Sequence, residues 1–312
     1  MSKLKAFNLL GIPETESKEI VISPIFYMGN KKRLIQKGLI NYFPKEINTF
    51  VDVFSGSATV SMNVIAQNYI INDINEPLNL LYNMFTNDSC KFITDKIYDF
   101  IDKYNLPRER TKRTVYTDKD KIECYKSAHR QLRDYYNNTK DVYALYTLMF
   151  YSFSQLMRFN SNGDFNMPYG NDCFCEDNIE YINNGTKFFS QSTVKTYKLD
   201  YRQLIDTLLE SETKDYFFYF DPPYLNTLAN YNENNGWTYK DEYCLYDILN
   251  HLTDIGMKWA LSNVEKNKGI DNTDLINYVA DNNYQKHYFD NFTYTACGKG
   301  NANTVEILIT NY

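Results

Sequence analysis

The segment Tyr216-Phe-Phe-Tyr-Phe-Asp-Pro-Pro-Tyr224 restricts the possible folds of this chain more than any other. An uninterrupted apolar run ending in an acid and two prolines predicts a strand covered on both faces, as in the parallel sheets of α/β proteins. At the carboxyl end of such a strand, Asp221 and Tyr224 fall in the crevice where open α/β sheets bind ligands. Pro222 and Pro223 stiffen the backbone and remove donors, so the Pro222 carbonyl can face a ligand. Asp221 and a carbonyl are both acceptors, able to hold the two hydrogens of an exocyclic amine, and Tyr224 offers a flat face to a base. The plainer alternative is an ordinary strand-to-turn corner, since Asp-Pro is common turn chemistry.

A second pattern, Phe50-Val-Asp-Val-Phe-Ser-Gly-Ser-Ala-Thr-Val60 followed by Asn72-Asp73, reads as strand, Gly-containing loop, helix over Val60 to Gln67, and a second strand ending in an acid. That layout suits a nucleoside whose ribose is held by a carboxylate. The loop lacks both G-x-G-x-x-G and the P-loop spacing, which disfavours pyrophosphate ligands such as NAD or ATP. Pro77 then opens a further helix at a favoured early position.

Between Lys91 and Phe153 the periodicity is helical, with Ile93, Ile97, Phe100 and Ile101 on one face and Leu145, Leu148, Met149 and Ser152 on another. Asn162-Gly163 then lies between two alternating segments and predicts a polar hairpin that carries Arg158. Strand patterns resume at 193–199, 216–220, 259–261, 284–288 and 304–309, so an α/β core is split by a helical insert. The expected boundaries are a loose arm over residues 1–19, core over 20–88, insert over 89–185 and core again over 186–312.

The 312 residues include 29 Tyr and 20 Phe but only 12 Gly and 8 Pro, which excludes collagenous and disordered classes. No apolar run is long enough to span a bilayer, and the N-terminal segment mixes Lys with Glu instead of forming an apolar signal, so a cytoplasmic protein is expected. Six cysteines are too dilute for a disulfide framework, and Cys173-Phe-Cys175 has no second pair, so reduced thiols and no metal site are expected. A net charge of -6 does not exclude a nucleic acid, because local fields decide binding. The cations do cluster: Lys31, Lys32, Arg33 and Lys37; Arg108, Arg110, Lys112 and Arg113; and Lys126, Arg130 and Arg133 on one helix face. Solvated helix faces would account for such runs as well.

In order along the chain, Pro24-Ile-Phe-Tyr-Met-Gly-Asn-Lys31, Phe54-Ser-Gly-Ser57, Asn72-Asp73 and Asp221-Pro-Pro-Tyr224 resemble the Dam family of adenine-specific DNA methyltransferases, phage-type members above all. The likeness runs from about Ser23 to Tyr312 and includes Phe153-Ser-Gln-Leu-Met-Arg158 and the hairpin after it. It implies a class I S-adenosylmethionine-dependent methyltransferase core, Rossmann-like, with an inserted DNA-recognition domain. On this resemblance Tyr27, Lys31, Phe54, Gly56, Ser57, Asp73 and Asp221 hold S-adenosyl-L-methionine, with Asp73 on the ribose. Asp221, Pro222, Pro223 and Tyr224 form the catalytic motif. Phe153 enters the base stack, Ser154, Leu156 and Pro168 lie beside it, and Arg158 reads guanine. Ala58 departs from the pattern where many relatives have a second Gly.

The activity so implied is methyl transfer to the N6 amine of a flipped adenine in duplex DNA, in a GATC-like site, by a monomer or weak dimer on DNA. Other guanine-reading places of the family hold Phe26 and Asn171-Asp172 here, which leaves the first base pair without its expected donor. Cytosine presents a similar amine, so N4-cytosine methylation is the rival within the enzymes. A catalytically silent DNA-binding protein of the same fold is the rival outside them. These residues leave open whether a restriction endonuclease is its partner.

Overall fold

Five strands run parallel in the computed structural model: β1 (Thr49–Asp52), β2 (Asn68–Asn72), β3 (Val194–Tyr197), β4 (Tyr216–Phe220) and β5 (Lys258–Asn267), in the spatial order β3-β2-β1-β4-β5. A two-residue strand, β6 (Ile270–Asp271), folds back on β5. The sheet then continues through β8 (Val305–Thr310), antiparallel to β5 and inserted between it and β7 (Gln285–Tyr288). This is the mostly parallel α/β sheet expected of a class I methyltransferase core. The structure describes residues 19–109, 119–210, 215–225, 236–267, 269–289 and 304–312. The N-terminal arm before Glu19, and Arg110, Lys112 and Arg113 of the second basic run, lie outside the described residues.

Alternation along the strands feeds two cores. Phe50, Ile71, Phe217, Tyr219, Ala260 and Leu308 face one layer, and Val51, Ile70, Phe218, Phe220, Trp259 and Leu261 face the other. Burial on both sides is why the DPPY strand reads as an unbroken apolar run. The first layer holds α1 (Lys32–Gln36), α2 (Glu76–Asn87), α3 (Cys90–Tyr104), α4 (Lys119–Thr139), α5 (Val142–Tyr151) and α6 (Glu176–Phe189). The second holds α7 (Tyr201–Leu209), α8 (Tyr239–Asp254) and α9 (Thr273–Asp281). Helix α5 is the axis of the insert: Ala144 to Tyr151 are all buried, and Asp141 caps its start by accepting from Tyr143 N and Ala144 N. Among the described residues five cysteines are free, and no helix is long and apolar enough to cross a membrane.

One expectation fails locally. The Val60–Gln67 segment is a series of turns, with no α-helix. Ala58 takes a left-handed φ of 56°, and the polar side chains that follow are bound elsewhere. Ser61 Oγ donates to Asp52 Oδ2 at 2.5 Å, and Asn63 pins Val21 through its N–H and its carbonyl. Side-chain bonds of this kind compete with a helix.

Asn72 ties the strand ends together. Its Nδ2 donates to Val53 O (3.0 Å) and Leu199 O (3.1 Å), while its Oδ1 accepts from Leu199 N (3.0 Å). The side chain is buried, so truncation orphans three backbone groups at the mouth of the sheet. Asn72→Ala should therefore lower unfolding free energy by about 2–4 kcal/mol, read by urea denaturation; a loss below about 0.5 kcal/mol would show that water or neighbours replace it.

Candidate active site

The order β2-β1-β4-β5 reverses direction between β1 and β4, because the chain winds outward from β1 to β3 and returns to start β4. The turns that follow β1 pack on one face and α8, which follows β4, on the other, and a crevice opens beyond the carboxyl ends of the two strands. Phe54-Ser-Gly follows β1, and Asp221 follows β4, so both sequence motifs meet there. A cavity of about 1240 Å³ fills the crevice and runs on to the hairpin of the insert.

Within it Tyr27, Lys31, Phe54, Gly56, Ser57, Asp73, Asp221, Pro222, Pro223, Tyr224, Phe153, Leu156 and Arg158 all line one wall or another. Of the residues expected from sequence, only Ser154 and Pro168 stand outside the lining; both are exposed at the rim.

Lys31 precedes α1 and is buried, not a surface cation. Its Nζ lies 2.9 Å from Asp221 Oδ1 and 3.3 Å from Glu306 Oε1. The Tyr224 hydroxyl donates to the same two carboxylates at 3.0 and 3.1 Å, and the Lys31 ammonium sits 5.2 Å from the Tyr224 ring centre. Burial pushes the Asp221 carboxyl up, and the Lys31 ammonium opposes it.

Asp73 builds the loop as well as facing the cavity. Its Oδ2 accepts from Gly56 N and its Oδ1 from Asn75 N, both at 2.9 Å. Gly56 has φ 52°, and a side chain there would meet the Tyr27 ring at 3.3 Å, so Tyr27 closes over a bare backbone. The Tyr27 hydroxyl accepts from Asn75 Nδ2 at 3.2 Å. Ser57 Oγ lies 2.7 Å from Thr59 Oγ1, which accepts from Asn30 at 2.9 Å. Burial raises Asp73 to about 6.

Four features escaped the sequence reading. Asp52, taken only as part of a strand, is buried with Oδ1 unpartnered among the described residues, and burial together with the Asp221 and Asp73 charges pushes it up to about 7. Asp200 and Tyr201 follow β3 and line the cavity; an acid just beyond a parallel strand is the signal that marked Asp73 and Asp221, and it was available here too. Tyr201 and Trp237 form an aromatic wall with Phe54, at centroid distances of 5.4 and 5.7 Å from it, and Glu242 accepts the Trp237 indole N–H at 2.5 Å. Glu306 also went unread, although a lone charge inside the apolar strand Val305-Glu-Ile-Leu-Ile309 is a signal in itself.

The wall formed by the Phe153 turn and the hairpin is equally defined. Phe153 is 53% exposed at the tip of a turn whose next two residues, Ser154 and Gln155, have φ of 57° and 54°. Left-handed non-glycine residues in succession cost about 1–2 kcal/mol each and mark functional loops. The turn is held by Phe153 N to Pro168 O (2.9 Å) and Gly170 N to Tyr151 O (2.7 Å); a side chain on Gly170 would strike Ser152 O at 2.5 Å. His129, buried on α4, supports Ser152 at 3.2 Å, and its burial lowers it to about 4. Past the turn, Arg158 is clamped by Asn166, with Nε on Oδ1 (2.7 Å) and Nη2 on the carbonyl (3.1 Å). The Asn162-Gly163 turn forms as expected, with Gly163 at φ 76° and a Phe159–Phe165 bridge. Asn137 of α4 clasps Phe165 at both N and O.

D12 class N6 adenine-specific DNA methyltransferases match residues 27–295. The chain belongs to this family. Its relatives include modification methylase StsI of Streptococcus sanguinis, 32% identical over all of this chain and 46% of that protein. Type II methyltransferase M.FokI of Planomicrobium okeanokoites is 29% identical over the same shares. The DNA adenine methylase of Vibrio cholerae is 25% identical over 71% of this chain and 73% of its own. The chain thus spans less than half the length of StsI and M.FokI.

The buried acids have a thermodynamic consequence. A carboxyl raised in the folded state contributes stability that is fully present below about pH 4 and lost as pH rises through its folded pKa. For Asp52 that loss runs from about 4 up to about 7. Asp52→Asn should raise the melting temperature at pH 8, with a gain on the order of a few kcal/mol that shrinks as pH falls and vanishes near pH 4. A pH-independent difference in melting temperature would contradict this.

Proposed function

We propose that this D12-family chain is the catalytic and recognition module of a DNA methyltransferase that transfers a methyl group from S-adenosyl-L-methionine to adenine N6 in duplex DNA, within a GATC-like site. One observation carries this reading: a single cavity joins Asp221 and Tyr224, the Asp73 loop, and the Phe153–Arg158 wall. Its volume exceeds the roughly 300–1,000 Å³ usual for one small ligand, so a nucleoside-sized cofactor and an extruded base fit side by side. The adenine-specific family disfavours the cytosine-N4 rival.

The cofactor fits the residues present. Asp73 offers carboxylate lone pairs to ribose hydroxyls, Phe54 with Tyr201 and Trp237 supplies flat apolar faces for its adenine, and Gly56, Ser57, Tyr27 and Lys31 surround its methionine part. S-adenosylmethionine, when bound, supplies a methyl group carried on a cationic sulfur. Asp221 and the Pro222 carbonyl accept the two N6 hydrogens of the target, so the nitrogen lone pair leaves conjugation and points at that carbon; Pro223 keeps the backbone rigid. Tyr224 stacks on the base once its hydroxyl lets go of Asp221.

Flipping the adenine costs about a few kcal/mol. Phe153, already exposed, fills the vacated stack, with Ser154, Leu156 and Pro168 beside it. Arg158, oriented by Asn166, is suited to guanine O6 and N7. Residues 89–185 would act as the target-recognition domain, and the enzyme as a monomer or weak dimer on cytoplasmic DNA.

Asp221→Ala should abolish methyl transfer from labelled cofactor while the far-ultraviolet spectrum stays unchanged; activity within tenfold of the parent would overturn the catalytic assignment.

Specificity is expected to be uneven. Phe26 packs edge-on against Phe150 and Tyr181, so that position contributes no donor for the first guanine. A wrong base at the pair read by Arg158 should cost about 1–3 kcal/mol, and less at the first position. Duplexes carrying each of the four bases there distinguish the cases: methylation of GATC alone, with the rest down a hundredfold, would mean another residue reads that guanine.

A further inference from the structure

Glu306 reaches the site from β8, the antiparallel strand two places beyond β4 in the sheet. It is 5% exposed, lies 3.3 Å from Lys31 Nζ and accepts from the Tyr224 hydroxyl at 3.1 Å. A buried carboxylate in an otherwise apolar strand is costly unless its charge is used. Lys31 alone would neutralise Asp221, from which it is 2.9 Å away. With Glu306 sharing the same ammonium, the three groups carry one net negative charge.

We propose that Glu306 is a positioning residue that shares the Lys31 ammonium and so leaves a net negative charge beside Asp221, matched to the cationic sulfur of S-adenosylmethionine. The proposal rests on the cofactor reading given above. The charge it answers exists before transfer on sulfur and after transfer on the methylated amine, so the same carboxylate favours binding of the donor and formation of the cationic product. It acts through Lys31 and Tyr224 and touches neither substrate. The product cofactor, S-adenosylhomocysteine, has the same nucleoside and amino acid but a neutral sulfur, and therefore isolates the charge.

The test is calorimetric titration of the whole chain with each cofactor. Glu306→Gln keeps the shape and an acceptor for the Tyr224 hydroxyl. It should weaken S-adenosylmethionine binding by roughly tenfold, as expected for loss of one charge acting over several ångströms in a protein interior, and S-adenosylhomocysteine by less than about twofold on that argument. Glu306→Asp, which keeps the charge on a shorter side chain, should retain the preference for the charged cofactor even if both affinities fall. Equal losses for the two cofactors in Glu306→Gln, no loss for either, or loss of the preference in Glu306→Asp would overturn the role of Glu306. Failure of the parent protein to bind either cofactor would instead overturn the cofactor reading, and the proposal with it.

Discussion

Everything chemical in this protein depends on the parting of β1 and β4. Adjacent parallel strands whose connections leave on the same side are covered at their carboxyl ends, whereas here the connections diverge and leave the two ends open. The Gly56 loop and Asp221 are more than 160 positions apart in the chain, yet they stand on neighbouring strands whose register pairs Asp52 with Tyr219. Asn72 and Ser55 fix the height of these ends by bonding to backbone groups of the next connections. The cavity is therefore a product of topology, and its lining residues occupy places that the sheet leaves uncovered.

The electrostatics of that cavity are not arranged for stability. Asp221 and Glu306 share one buried cation, Lys31, while Asp52 and Asp73 lie in the same crevice, and burial raises Asp52, Asp73 and Asp221. Breaking even with solvation is the best a buried ion pair usually achieves. Acids gathered against that cost, in a cleft, are the signature of a site prepared for a ligand. A cationic donor and a neutral amine acceptor are ligands of the right sign.

The insert has its own construction, in which a few side chains stand at the tip of a turn and on a hairpin. Its helices share an apolar core with α2 through Tyr82, Phe85, Phe189 and Tyr146, so the hairpin rests on a firm base. Strain at Ser154 and Gln155 is confined to the tip, where Phe153 projects. Arg158, in contrast, is held by two hydrogen bonds to Asn166, which reduces the entropy lost when such a side chain engages a ligand.

Much of this was legible in the residues alone. The uninterrupted apolar strand, Asp221-Pro-Pro-Tyr224, the Gly56 loop with Asp73, and the Asn162-Gly163 hairpin carry local signals: burial on both faces, proline rigidity, a needed positive φ, alternation. Local signals determined the strands, most helices and the family. They erred at Val60–Gln67, where Ser61 and Asn63 bond to distant groups that no local pattern records. Whether Lys31 is a surface cation or a buried one, that Tyr201 and Trp237 complete a wall with Phe54, and that Glu306 from the far end of the chain meets Lys31 were decided only by the tertiary structure. Each is a contact between segments far apart in sequence, and burial and electrostatic pairing depend on what the fold brings within a few ångströms.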